Sequence, residues 1–208
     1  MRIYYLSRLS KAFLCFLLLF CSCKKEDKPK LPTEPIQGEK VIRNLKADYM
    51  TKPYFKFSTG EVVKKPGADN WDICFEHAQL KINGGTMGNP VRTGNAKAII
   101  VHTAYQNIKD IPNLSDLKQD DGRTDFALGY RSGGKTWYYM DENNFYMPYP
   151  EKTMFIQTAD QKGFVKLQIL SFYRDMPNLK GETYESISTR AGFFTFRYQY
   201  IEKGQRFH

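Results

Sequence analysis

Apolar and polar residues alternate along most of this chain with a period of two, the pattern of strands with one buried face. The clearest run is Phe164-Val165-Lys166-Leu167-Gln168-Ile169-Leu170-Ser171-Phe172-Tyr173. Tyr54-Phe55-Lys56-Phe57 predicts a short strand that turns at Thr59-Gly60 into Glu61-Val62-Val63. Trp71, Ile73 and Phe75 alternate with Asp72, Cys74 and Glu76, a half-buried strand, and Leu80-Lys81-Ile82 carries the pattern to a turn at Asn83-Gly84-Gly85. Ala98 to Val101 is a short buried run, and Met154-Phe155-Ile156 leads into a hairpin loop at Ala159 to Gly163. Asp125 to Tyr130 and Trp137 to Met140 flank the turn residues Ser132-Gly133-Gly134. Phe193 to Tyr200 carries aromatics on both faces and is therefore expected inside a sheet. No long segment keeps the 3.6-residue spacing of a helix. Short helical turns are expected near Ile108 to Leu117 and Gly181 to Ser188. Strands at intervals of about 8–12 residues, separated by Gly, Pro and Asn turns, predict an all-β fold. The architecture expected is an antiparallel β-sandwich or open barrel with many short strands and one or two short helical turns.

The first forty residues follow a different pattern. Arg2, Arg8 and Lys11 form a basic start, and Ala12 to Phe20 is an apolar run well short of the roughly 20 residues a spanning helix needs. It ends in Phe20-Cys21-Ser22-Cys23, where Ser22-Cys23 resembles the cleavage box of bacterial lipoproteins. Cys21 as the modified residue and an ordinary signal peptide cut nearby are the alternatives. The division expected is a lipoprotein signal peptide over 1–22, an acylated Cys23 with a flexible tether to residue 40, and a single domain over 41–208. Several acyl chains on Cys23 would give durable membrane anchoring. Lys24-Lys25-Glu26-Asp27 resembles the surface-export signal of Bacteroidetes-type lipoproteins, which suggests the outer membrane and its outer face. Pro29, Pro32 and Pro35 among charges read as a tether with extended stretches.

Composition narrows the chemistry. Aromatics make up 15% of the chain, which favours β-structure because rings pack well on a pleated surface. The formal charge of +9 falls to +6 once Arg2, Arg8 and Lys11 leave, with 28 basic residues against 22 acidic ones. That excess is spread along the chain without a basic cluster interleaved with aromatics, which argues against a nucleic-acid partner. It suits anionic ligands or lipopolysaccharide phosphates. Of 4 cysteines only Cys74 remains unmodified after processing, so no internal disulfide is expected. His77 and His102 are the only histidines before the terminal His208, and each reads better as structural than as a base or ligand. A catalytic triad and a zinc site both lack their parts, and an enzyme is not expected. Asp120-Asp121-Gly122 and Asp141-Glu142 read as solvated turns. Asn83-Gly84-Gly85-Thr86-Met87-Gly88 does not open a helix and is not a phosphate loop.

One stretch stands apart. Trp137-Tyr138-Tyr139-Met140 and Phe145-Tyr146-Met147-Pro148-Tyr149 place eight large aromatic or Met side chains within 13 residues. Core packing accounts for them, since Met fills irregular gaps. So does the mouth of a site for a flat apolar ligand. A porphyrin wants aromatic walls, a cation for its propionates and soft or imidazole axial ligands, and Arg123, Arg131 and Lys135 lie nearby.

Six short motifs occur in one order: Asn70-Trp71-Asp72-Ile73, Asn83-Gly84-Gly85, Trp137-Tyr138-Tyr139, Ile156-Gln157-Thr158-Ala159-Asp160, Lys166 to Tyr173, and Phe194-Thr195-Phe196-Arg197-Tyr198. In that order, behind the lipoprotein-like start, they resemble the HmuY-like haem-binding lipoproteins of Bacteroidetes, over about Val41 to Ile201. The resemblance implies a non-enzymatic all-β haemophore at the outer membrane or cell surface, handing haem to a TonB-dependent receptor for iron acquisition. It implies axial-ligand positions after Trp137, where this chain has Met140 and Met147 and no His, and around Asp120 to Lys135, where Tyr130 is the one ligand type present. Either or both methionines serve as axial ligands on this reading, with Tyr130, Arg131, Tyr139 and Tyr146 around the pocket. The alternative is a member without haem, a surface lipoprotein acting as scaffold or accessory subunit of a receptor complex.

Overall fold

The computed structural model describes residues 37–86, 92–121, 124–129 and 135–208. The apolar run at Ala12 to Phe20, Cys23 and the tether through Ile36 lie outside the described residues, as do Tyr130 and Arg131.

The alternation becomes a set of antiparallel strands: β1 (Glu39–Lys46), β2 (Tyr54–Lys56), β3 (Glu61–Val63), β4 (Ile73–Glu76), β5 (Gln79–Ile82), β6 (Lys97–Val101), β7 (Tyr138–Met140), β8 (Tyr146–Pro148), β9 (Thr153–Gln157), β10 (Gly163–Tyr173) and β11 (Ala191–Glu202). They form a five-stranded sheet ordered β1-β11-β10-β9-β6, a four-stranded sheet ordered β3-β2-β4-β5, and the β7–β8 hairpin. The sheets do not close into a barrel, and the arrangement is sandwich-like. The helical content is a few single turns, including Leu114–Asp116 and Tyr184–Ile187, within the two segments expected.

Rings supply the seam between the two larger sheets. Phe55 lies 5.6 Å from Phe196 and 5.9 Å from Tyr198, and Phe75 lies 5.0 Å from Phe194 and 5.2 Å from Phe196. Each such buried ring stabilises the fold by about 1.5–3 kcal/mol. β11 is interior, between β1 and β10, as its composition predicts. Its aromatics are less evenly shared than expected. Phe194, Phe196 and Tyr198 join the main core, whereas Thr195, Arg197 and Gln199 alternate with them and are also buried. The second face is covered in its own right, by Phe155, Phe164, Ile201, Ile108 and Phe207.

Local patterning misleads in three places. Asp72 and Cys74 are as buried as the apolar residues they alternate with. Asp72 accepts from the Phe57 N–H at 2.9 Å and the Ala159 N–H at 2.8 Å, joining the two sheets. Asp120 is not in a solvated turn. It is fully buried, accepts from the N–H groups of Ile82 (3.0 Å) and Ala127 (2.9 Å), and pairs with Arg92 at 3.2 Å. Asp125 to Gly129 forms turns and one isolated bridge, not a strand. The Asn83-Gly84-Gly85 turn has a steric reason: a Cβ on Gly84 would lie 2.0 Å from the Ala96 carbonyl oxygen, and one on Gly85 would lie 1.8 Å from that of Asp120.

Candidate functional site

β10 is longer than its neighbour. β9 pairs only with Phe164 to Leu167, so from Gln168 onward one edge of β10 has no strand paired with it among the described residues. Two covers close that edge. The β7–β8 hairpin comes from one side, held by the Tyr146 N–H donating to the Tyr173 hydroxyl at 2.9 Å and by the Gln168 amide donating to the Pro150 carbonyl at 2.8 Å. From the other side, residues 174–181 fold back after β10. Between them lies a cavity of about 950 Å³.

Its walls carry two thioethers. Met147 comes from β8 and Met176 from the turn after β10. Tyr146, Phe172 and Tyr173 supply aromatic surface. Arg197 and Gln168 line the buried end, and Lys180, exposed, lines the rim. Burial pushes the Tyr173 hydroxyl up to about 12, so it stays protonated at neutral pH.

The Met176 turn is strained. Asp175 and Met176 both have positive φ, at 61° and 47°, which disfavours any side chain with a Cβ by about 1–2 kcal/mol per residue. A distant residue holds them there. Asn44, itself at φ 55° where the β1–β11 register slips between Ile42 and Leu45, donates its side-chain amide to the Asp175 carboxylate at 2.8 Å. In return the Asp175 N–H donates to the Asn44 side-chain oxygen at 2.8 Å. The Met176 N–H donates to the Tyr173 carbonyl at 3.2 Å.

Of the expected site residues, Met147 and Tyr146 line this cavity. Met140, facing Tyr146 across the hairpin, packs against the main core and is not one of the cavity walls. Tyr139 pairs with Met147 across the hairpin and leans on Tyr149, ring centres 5.0 Å apart. Among the described residues the wall facing β8 is built by 168–181; Gly129 and Lys135 border the recess beside His102, and residues 130–134 lie outside the described residues. Met176 was missed because Arg174-Asp175-Met176-Pro177 has no periodicity to read. The available signal was a Met immediately before a proline, the feature that marks Met147. His77 supports the site from behind. Its ring lies 5.5 Å from Tyr146 and 5.2 Å from Phe172, with Tyr49 stacked on its outer face at 4.3 Å. His102 borders a separate recess of about 700 Å³. No group of three or more His, Cys, Asp or Glu that could hold a metal ion occurs among the described residues.

The HmuY protein family model matches residues 48–185, more than half of the chain. The chain belongs to the HmuY family. No curated protein matches it. Among solved structures, this HmuY-family chain is similar to a protein of Bacteroides vulgatus ATCC 8482 described as HmuY-like and heme-binding, at 14% identity and a TM-score of 0.48, covering 84% of this chain and 96% of that one. It is also similar to the apo HmuY analogue of Tannerella forsythia, at 15% identity and a TM-score of 0.48, covering 86% of this chain and 100% of that one. Family membership rests on the matched residues 48–185.

Proposed function

We propose that this chain is a non-enzymatic lipoprotein that binds haem non-covalently in the cavity between β8, β10 and residues 174–181, and passes it to a TonB-dependent outer-membrane receptor for iron acquisition. The observation that carries this reading is the donor set: two thioethers, Met147 and Met176, on two separate covers of one aromatic-walled cavity. Haem fits these residues as cargo. At about 950 Å³ the cavity is at the upper end of the roughly 300–1,000 Å³ of small-molecule sites. Thioethers are soft ligands that favour ferrous over ferric iron, so binding should tighten on reduction. Tyr146 and Phe172 offer flat surface to a macrocycle, and Arg197 and Lys180 offer cations to its carboxylates.

On the same reading Cys23 is acylated and holds the domain to the outer membrane, with 24–40 as tether. The test has two arms. Haem is titrated into the full-length chain and optical spectra are recorded with and without dithionite. A Soret shift that strengthens on reduction is expected. No shift in either redox state would replace the haem reading with that of a scaffold or receptor subunit. In cells, Cys23→Ala should leave the membrane fraction and lose palmitate labelling. A variant that still pellets and labels refutes the anchor.

A further inference from the structure

At the buried end of the cavity one cation is held mainly by a neutral partner. The Arg197 guanidinium donates through both Nε (3.0 Å) and Nη2 (2.7 Å) to a single oxygen, Oε1 of Gln168. That edge of a guanidinium is a fork suited to the two oxygens of a carboxylate. Here it holds one neutral amide oxygen. The carboxylate within reach is Glu39, whose Oε2 lies 3.9 Å from Nη1, far beyond a charge-assisted hydrogen bond of about 2.7–2.9 Å.

A second cation lies alongside. Lys166 is fully buried and its ammonium donates to the backbone oxygens of Ile108 and of the last residue, His208, both at 3.0 Å. The Tyr105 ring sits between the two cations, 4.3 Å from the Arg197 guanidinium and 4.7 Å from the Lys166 ammonium. The Tyr105 hydroxyl is buried with no hydrogen-bond partner among the described residues. Burial, with Lys109 and Arg197 adding like charge against Glu39, pushes the Lys166 amine down to about 8. Both Arg197 and Gln168 line the cavity and are about nine-tenths buried, each at 6% exposure.

We propose that the Nε–Nη2 fork of Arg197 receives one carboxylate of the ligand, displacing the Gln168 oxygen, so that the site selects a carboxylate-bearing tetrapyrrole over its neutral ester. This rests on the haem reading of the same cavity and adds the orientation of the ligand: one carboxylate inward at Arg197, the second outward toward Lys180 at the rim. The displaced Gln168 keeps its bond to Pro150 through the amide nitrogen, so the hairpin cover stays attached.

Haem and haem dimethyl ester are titrated into the full-length chain in detergent and followed in the Soret band. A charge-assisted bidentate contact predicts that the diacid binds about tenfold to a hundredfold tighter than the diester. In Gln168→Glu the protein's own carboxylate occupies the fork. That variant also loses the amide donor to Pro150, so it should weaken for both ligands while the ratio of diacid to diester affinity falls toward one. Arg197→Gln should also bring the two ligands level. Equal binding of both ligands by the wild type overturns the inference and leaves the haem reading standing. A preference that persists undiminished in Gln168→Glu places the carboxylate elsewhere and also overturns it. If neither ligand binds, the haem reading falls and this inference with it.

Discussion

Replacing Met176 by Leu removes one thioether at nearly constant volume, which separates ligation from packing. Met176 is 9% exposed, and truncation to Ala at such a site costs about 2–5 kcal/mol, enough to blur any effect on binding. A volume-conserving swap costs less than about 1.5 kcal/mol. The backbone strain at φ 47° is common to Met and Leu and cancels. For a domain of this size each kcal/mol moves Tm by about 2–4 °C, so Met176→Leu should melt within a few degrees of wild type. Its affinity for ferrous haem should fall at least tenfold, about 1.4 kcal/mol. The ferric affinity should fall less, because a thioether contributes less to a ferric centre. Met147→Leu should behave in the same way, and Met140→Leu, off the cavity wall, should leave both redox states unchanged. The assay is a Soret titration of each variant with and without dithionite, beside a thermal melt. If Met147→Leu and Met176→Leu both keep the wild-type ferrous spectrum and affinity, the two residues are packing and the donor-set argument is refuted.

Asn44→Ala removes both solvent-exposed bonds to Asp175, and at about 0.5–1.5 kcal/mol it should lower the urea midpoint slightly and weaken ferrous haem binding with it. An unchanged midpoint and affinity would show that the Met176 turn holds itself. Asp120→Ala leaves the buried Ile82 N–H and the half-buried Ala127 N–H without their acceptor and takes a carboxylate from Arg92, so a loss of about 3–5 kcal/mol is expected in chemical denaturation; a loss below about 1 kcal/mol would mean that water replaces the carboxylate. The pH dependence has two parts of opposite sign. Burial holds the Asp120 carboxyl up at about 6, against the N–H bonds and Arg92, above its ordinary 3.8. The folded state therefore takes up that proton first, and stability from this group grows as pH falls from about 6 to about 4. Burial also raises Asp160, but its bonds from Lys56, Thr158 and the Lys162 N–H prevail and bring it to about 2, so its contribution is lost as pH falls from about 4 to about 2. Urea midpoints across pH 2–7 should lose the first slope in Asp120→Asn and the second in Asp160→Asn; a variant with the wild-type profile refutes its assignment.

The two long strands were legible because apolar side chains recur at every second position, as at Val165, Leu167 and Ile169 and at Phe194, Phe196 and Tyr198, although the polar residues between them are buried as well. Alternation understates burial where both faces are covered, as at Asp72-Ile73-Cys74. It also cannot show what a polar residue meets far along the chain. Asp120 beside Asp121 and Gly122 looks like a turn in water until Arg92 and the Ile82 N–H are folded against it. The site was half legible for the same reason. Met147 stands in a conspicuous aromatic run, but Met176 becomes its partner only through β10, which carries the chain from the edge of the hairpin to the far side of the cavity.

The cavity exists because the large sheet is unfinished. An uncovered strand edge is unstable in water and invites pairing with another chain, so it must be capped. Here the caps are attached chiefly by side chains: Tyr173 to the Tyr146 N–H, Gln168 to Pro150, Asn44 to Asp175. A strand added along β10 would have filled the space with ladder hydrogen bonds. Covers held by a few side chains leave a gap instead, and each brings one Met to it. The core rings of β2, β4 and β11 meet across the seam, and Tyr146, Met147 and Leu179 pack against the edge of the same core. On the haem reading, the covers supply the iron donors Met147 and Met176, while the sheet strands β10 and β11 supply Gln168 and Arg197. A change of donor on a cover can alter what the cavity holds while the sheets that shape it remain in place.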